Sequence, residues 1–306
     1  MSNRDVKNLS ASIRQRLLNI AHDQNIEYGL LLTNYAIERL LYRLASSTYS
    51  ERFILKGAML LRVWGDKIYR PTRDLDLLAF GNPELAEMAD VFRDICLVEC
   101  VEDGLVFMTD DIRVEEIREG QSYDGIRVRT EAQLAGARIP IQIDIGFGDV
   151  VIPEPVISQF PTILEMPSPQ LRMYSIESVI AEKFHAMVSI GELNSRMKDY
   201  LDIYTFASTR SFDGQLLCRA IKSTFERRST VFSADIPEAI ADEFANRNDK
   251  QIQWTAFLRR VGVYSTAVGL DIVTALIRDF LIPPTVAIRN GEEFQRQWNP
   301  DSTIWR

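Results

Sequence analysis

The chain has 306 residues, 46% hydrophobic and 25% charged, which is the make-up of a globular protein and excludes a collagen-like, mucin-like or wholly disordered one. Its 35 Lys and Arg against 43 Asp and Glu give a formal charge of −8, which on its face argues against a nucleic-acid binder with a basic footprint. The acidity is local: residues 51–170 carry 12 basic and 22 acidic side chains, whereas 1–50 and 171–230 are each net +2 and 231–306 is net −2.

Two amphipathic helices are predicted first, over 9–22, with Ile13, Leu17, Leu18 and Ile20 on one side, and over 30–46. After a polar break at 49–51, residues 53–56 read as a short strand that ends in Gly57. Helical character resumes over 58–64, Gly65 stops it, and a loop runs to Thr72. Residues 74–80 alternate acidic and apolar side chains and then turn apolar, a strand with one wet end. Asn82 is a plausible cap, with Pro83 at the first position, for a helix over 84–100. Strand candidates follow at 105–108, 112–117, 125–134 and 140–145. The prolines at 153, 155, 161, 167 and 169 mark 151–169 as a linker. Beyond it, helices are expected at 175–189, 195–208, 213–227, 235–245, 251–261 and 265–282, with an extended tail after Pro283-Pro284.

This order predicts an α+β protein. N-terminal helices and an α/β core would fill 1–160, and a helical C-terminal domain 161–306. Three cysteines, Cys96, Cys100 and Cys218, are too few and too unevenly spaced for a disulfide framework. Cys96 and Cys100, four apart in a helical pattern, are expected as buried thiols on one face. With only His22 and His185 present, a His-rich metal site or a histidine triad is not expected. No apolar signal region opens the chain and no apolar run reaches membrane-spanning length, so a cytoplasmic protein with no membrane partner is expected.

The chemistry concentrates around Lys56-Gly57-Ala58 and Asp74-Leu75-Asp76. Residues i and i+2 of a strand share a face, so Asp74 and Asp76 project side by side. Adjacent carboxylates repel unless a cation separates them, and Mg²⁺ suits carboxylates that share it with substrate phosphates. Gly57 lets backbone approach a phosphate, and a helix starting at Ala58 would aim its N-terminus at the anion. Asp144 sits in an apolar alternating strand, where a charge needs a partner. It either joins Asp74 and Asp76 in a two-metal site for phosphoryl transfer or pairs with an arginine. In the helical half, Lys183 lies in an apolar helix, and Asp199 and Asp202 share a helix face beside Arg196 and Lys198.

The segments YAIERLLYRL (35–44), FILKGAMLL (53–61), RPTRDLDL (70–77), IDI (143–145), AEKFHA (181–186) and RMKDYLD (196–202), in this order and spacing, resemble the AbiEii-type nucleotidyltransferase toxins, including the MenT toxins. These belong to the DNA polymerase β-like nucleotidyltransferase superfamily. The resemblance implies that superfamily's mixed sheet with flanking helices. It also implies a toxin that transfers a nucleotide from an NTP, with some members acting on the tRNA 3′ end, and a separately encoded AbiEi-type antitoxin. One departure stands out: the superfamily has Gly-Ser where this chain has Gly57-Ala58, so the Ser contact to the triphosphate is missing, and backbone amides, or else Thr72 or Arg73, would have to compensate.

Under that resemblance, an RNA 3′-hydroxyl, most simply that of a tRNA acceptor end, attacks the α-phosphate. Asp74 and Asp76 hold two Mg²⁺, and Asp144 completes the metal that activates the hydroxyl. Lys183 neutralises charge on the triphosphate. Lys56, Gly57, Ala58, Thr72, Arg73, Arg196 and Lys198 contact substrate, and Asp199 orients Lys183 or the nucleotide. The basic side chains between Arg210 and Arg228 form either an RNA-backbone face or a solvated helix face. Nucleotidylation of a protein or small molecule is the competing enzyme reading. A non-catalytic binding module on the same fold is the other.

Overall fold

The computed structural model describes residues 3–65, 72–81, 84–100, 102–119, 122–148, 151–262 and 268–306. Its first two helices, α1 (Asn3–Asp23) and α2 (Tyr28–Ser46), follow the apolar periodicity but start earlier than the pattern suggests. Strand β1 (Phe53–Lys56) ends where expected. The helical character expected over 58–64 takes the form of a 3-10 turn, Gly57–Met59, followed by a single turn of α-helix, α3 (Leu60–Trp64). Gly57, at φ +73°, takes a left-handed conformation open to glycine and turns the chain from β1 into this helical stretch. Gly65 then stops α3 in the left-handed region, as anticipated.

Strand β2 (Asp74–Ala79) follows, then α4 (Leu85–Leu97), whose cap position is Glu84. The expected capping pair, Asn82 and Pro83, lies outside the described residues, as do Arg70 and Pro71. Because α4 ends at Leu97, only Cys96 is buried on it, and Cys100 lies half-buried beyond the helix. Next come β3 (Leu105–Phe107), β4 (Arg113–Glu119), β5 (Ser122–Leu134) and β6 (Ala137–Phe147). The proline-rich stretch expected as a linker carries β7 (Val156–Gln159), which pairs antiparallel with β8 (Gln170–Met173). β7 is an edge strand, where flanking prolines interrupt no ladder on the open side.

The eight strands form one mixed sheet in the order β3-β5-β6-β2-β1-β8-β7, with β4 also on β5. β2 runs antiparallel to β1 and parallel to β6, and β1 runs parallel to β8. Alternation sorts the central strands: Leu55, Leu75, Leu77, Ile143, Ile145, Ile126 and Val128 are all buried, while Lys56, Asp74, Asp76, Asp144 and Arg127 lie between them. Helix α2 packs against this sheet and is buried nearly all round, its charged residues included. Arg43 makes a two-point contact with Asp103 (2.6 and 3.3 Å), Tyr35 donates to the Asp103 carbonyl (2.8 Å), and Ile163 N–H donates to Glu38 (2.7 Å). The segment 35–44 thus works as an internal polar clamp. Burial pushes the Glu38 carboxyl up to about 7, against the opposing pull of Ile163 N–H, Arg62 and Arg39.

These elements, up to Gly148 and over Val156–Tyr174, make one compact unit, and Ser175–Arg306 make the bulk of a second. The second holds α5 (Ile176–Ile190), α6 (Met197–Thr209), β9 (Phe212–Asp213), α7 (Gly214–Arg227), α8 (Asp242–Asn246), α9 (Asn248–Val261) and α10 (Leu270–Asn290). Ser175 caps α5 by accepting from Ser178 N–H (3.1 Å). The expected end at Pro283 does not occur: α10 continues through both prolines to Asn290. A proline strips the carbonyl four residues earlier of its N–H partner. For Pro284 that carbonyl is Phe280's, and the Trp305 indole N–H donates to it instead (3.0 Å). Trp305 comes from β11 (Ile304–Trp305), which with β10 (Gln297–Asn299) and β9 forms a small antiparallel sheet, a feature the helical pattern did not announce. Phe280 stacks on Trp305 at 5.7 Å and lies 4.9 Å from Trp298, completing an aromatic anchor. No helix among the described residues is long and apolar enough to cross a membrane.

Candidate active site

The first unit builds its site from sheet register. Asp76 on β2 lies opposite Lys56 on β1 and opposite Asp144 on β6, and Asp144 lies opposite Arg127 on β5. Register partners share a face, so four strands lay out one row: Lys56, Asp76, Asp144, Arg127. Glu115 on β4 extends it. Asp74, two residues before Asp76, sits on the same face opposite Gln142. Asp74 is exposed and Asp76 half-buried.

Gly57 proves to be more than a site of backbone approach. A Cβ built there would lie 2.0 Å from Asp76 Oδ2 and 2.7 Å from Asp76 Cβ. The missing side chain is therefore the space in which the Asp76 carboxylate sits. Ala58 is buried, and Lys56 reaches over the Tyr174 ring with its ammonium 5.7 Å from the centroid. Thr72 donates from its hydroxyl to the Asp74 carbonyl (3.4 Å), tethering the start of β2. Arg73 pairs with Glu27 at the start of α2, in a contact exposed on both sides.

Asp144 follows the arginine alternative. Arg127 Nε and Nη2 donate to Asp144 Oδ1 and Oδ2 at 2.7 and 2.8 Å, a bidentate pair that engages both carboxylate oxygens. The Arg127 guanidinium is held above its usual range, first by its hydrogen bonds to Asp144, and further by the fields of Asp144, Glu115 and Asp74 against partial desolvation. Among the described residues, no three His, Cys, Asp or Glu side chains converge as a metal cage. Asp74 and Asp76 do suit Mg²⁺, which commonly takes one or two protein carboxylates and fills its other positions with water and phosphate oxygens.

In the second unit, Lys183 on α5 is clamped by two carboxylates of α6, Asp199 Oδ1 at 2.7 Å and Asp202 Oδ2 at 2.8 Å. Arg196 Nε donates to the other Asp199 oxygen at 2.6 Å. Burial pushes the Asp199 carboxyl up, but Lys183 and Arg196 outweigh it and hold the group at about 2. Lys183 is thus no snorkelling surface lysine; its side chain is 13% exposed. Asn194 sets up the turn into α6 by accepting from Arg196 N–H through its side chain (2.8 Å) and from buried Lys250 through its carbonyl (2.8 Å). Lys198 is exposed.

Sequence reasoning anticipated Lys56, Gly57, Asp74, Asp76 and Asp144, and the structure brings them to one region of the sheet. It missed Arg127, whose only signal is a charge alternating with Ile126 and Val128. It noted Asp202 on the face of Asp199 but gave it no role.

The family model for the AbiEii nucleotidyl transferase toxin, type IV toxin–antitoxin system, matches residues 39–277. A candidate nucleotidyltransferase from H. pylori, known from a crystal structure, is similar at a TM-score of 0.46 and 11% identity, covering 87% of this chain and 97% of its own. JHP933 from Helicobacter pylori is similar at a TM-score of 0.43 and 12% identity, covering 84% and 91%. A comparison with curated proteins finds no match.

Proposed function

From the premise that the chain belongs to the AbiEii nucleotidyltransferase toxin family of type IV toxin–antitoxin systems, we propose that it transfers a nucleotide from an NTP to the 3′ end of an RNA, with tRNA as the acceptor and Mg²⁺ as the activating ion. The observation that carries this reading is the register of β2: Asp76 between Lys56 and Asp144, with Asp74 on the same face.

Asp74 and Asp76 would hold the divalent ion, which when bound polarises the α-phosphate and lowers the pKa of the attacking hydroxyl. Gly57 keeps the Asp76 carboxylate in place by leaving room for it. Lys56 supplies positive charge one strand away. Lys183 is assigned to the charge that develops on the triphosphate, its ammonium steadied by Asp199 and Asp202. Arg196 and Lys198 are assigned to phosphates of nucleotide or RNA. Thr72 and Arg73 flank the acidic pair, and Arg73 would exchange Glu27 for phosphate. Asp144 would serve as a third ligand only after Arg127 releases it. The family implies an antitoxin, which we take to be of the AbiEi type.

The test is incubation with each labelled NTP, Mg²⁺ and total tRNA. Label in tRNA supports the proposal. Label in protein or a small molecule supports the competing enzyme reading instead. No label anywhere, with the wild type and Asp76→Ala equally harmless to growing cells, would overturn both and favour a binding module.

A further inference from the structure

We propose that Arg127 is an internal counter-ion that withholds Asp144 from the cation site until a metal-bound nucleotide displaces it. This rests on the reading of Asp74 and Asp76 as metal-holding carboxylates. Three observations support it. Asp144 is the register neighbour of Asp76, so it is the next carboxylate a cation at Asp76 would meet. Both Asp144 oxygens are engaged by one guanidinium in a parallel two-point contact, which leaves no oxygen uncommitted to arginine. Arg127 also feels the charges of Glu115 and Asp74, so it offsets acidic groups on other strands as well as Asp144. The pair is partly solvated, with side-chain exposures of 28% for Arg127 and 23% for Asp144, so exchange does not require uncovering a sealed core.

The exchange is a competition. In the resting chain the guanidinium holds Asp144, and the acidic pair alone faces an incoming ion. Metal–triphosphate brings both a stronger cation for Asp144 and phosphate oxygens that suit a released guanidinium. Arg127 is therefore a positioning residue, and the coupling makes full assembly of the site depend on nucleotide.

Mn²⁺ binding, followed by electron paramagnetic resonance without any acceptor, tests this separately from turnover. In the absence of nucleotide, Arg127→Gln is expected to bind Mn²⁺ about fivefold more tightly than the wild type, the upper scale of one partly solvated ion pair. Arg127→Lys, which keeps the charge but not the two-point grip, is expected to fall between them. The gain is expected to vanish in Arg127→Gln/Asp144→Asn, because the released carboxylate is gone. If Arg127→Gln binds Mn²⁺ no more tightly, or tightens binding equally in the Asp144→Asn background, the proposal is overturned, and in the second case only the loss of a nearby charge was seen. Should Arg127→Gln fail to fold, as judged by circular dichroism, the Arg127→Lys shift and its loss with Asp144→Asn decide the matter. Failure of the underlying reading looks different: the wild type would then bind no Mn²⁺ even with NTP present, or Asp76→Asn would bind it as well as the wild type does.

Discussion

Replacing Gly57 with alanine separates two costs that the structure keeps apart. Gly57 and Gly65 have nearly the same backbone, φ +73° and +69°. A Cβ at Gly65 meets no described residue within 4 Å, whereas at Gly57 it would sit 2.0 Å from Asp76 Oδ2 and 2.6 Å from Asp76 Cγ. Gly65→Ala therefore incurs only the left-handed penalty, about 1 kcal/mol of stability. Gly57→Ala incurs the same penalty and must also drive the Asp76 carboxylate away by more than an ångström, since its Cβ already crowds Asp76 Cβ at 2.7 Å. A displacement of that size in a phosphoryl-transfer site costs roughly a hundredfold in rate. Denaturant unfolding should show both variants folded, with Gly57→Ala the less stable by roughly 1–2 kcal/mol. Nucleotide transfer should be near normal in Gly65→Ala and about a hundredfold slower in Gly57→Ala. Equal transfer by the two variants would refute the claim that Gly57 exists to make room for Asp76.

Three other perturbations follow from the geometry. Asp199→Asn strips Lys183 and Arg196 of a buried partner and should lower stability at neutral pH by roughly 3 kcal/mol. Because the folded group lies at about 2 and its ordinary value is 3.8, the wild type should lose this contribution as pH falls from about 4 to 2, and the variant's acid unfolding should be flatter there. Glu38 runs the other way: raised from 4.5 to about 7, its carboxyl makes the native state bind the extra proton, so stability should fall as pH rises across that window, and Glu38→Gln should remove the slope in a pH series of chemical denaturation curves. Trp305→Phe leaves the Phe280 carbonyl without its donor and should cost about 1–2 kcal/mol in thermal unfolding. That cost should shrink in a Pro284→Ala background, where a backbone N–H becomes available to the same carbonyl.

What could be read in advance was what local pattern controls. The two-residue period of β2 put Asp74 and Asp76 on one face, and the charge at Asp144 within an apolar run correctly signalled a need for a partner. Which partner was not legible, because it depends on strand order. Asp144 lies between Asp76 on β2 and Arg127 on β5, and nothing in the β6 pattern says which neighbour supplies its contacts. The helical run over 58–64 was legible from its apolar spacing, but that its first turn is 3-10 was not. The stop at Pro283-Pro284 failed: a sound local rule was overridden by one hydrogen bond from Trp305, over twenty residues on. The prolines of 151–169 hid β7, an edge strand that tolerates proline on its flanks. In the helical half, the close spacing of Arg196, Asp199 and Asp202 was visible. That the two carboxylates enclose Lys183, and do not simply line a solvated face, is a fact of α5 and α6 packing.

The claim at the centre of this account is that the carboxylates of β2 serve nucleotidyl transfer. The most direct measurement gives the wild type and Asp76→Asn the same NTP, labelled in parallel at the α- and at the γ-phosphate, with total tRNA and Mg²⁺. With the wild type, α-label should enter the RNA and γ-label should leave as pyrophosphate; with Asp76→Asn neither should occur. Entry of γ-label into the acceptor, or undiminished α-label transfer by Asp76→Asn, would contradict the claim.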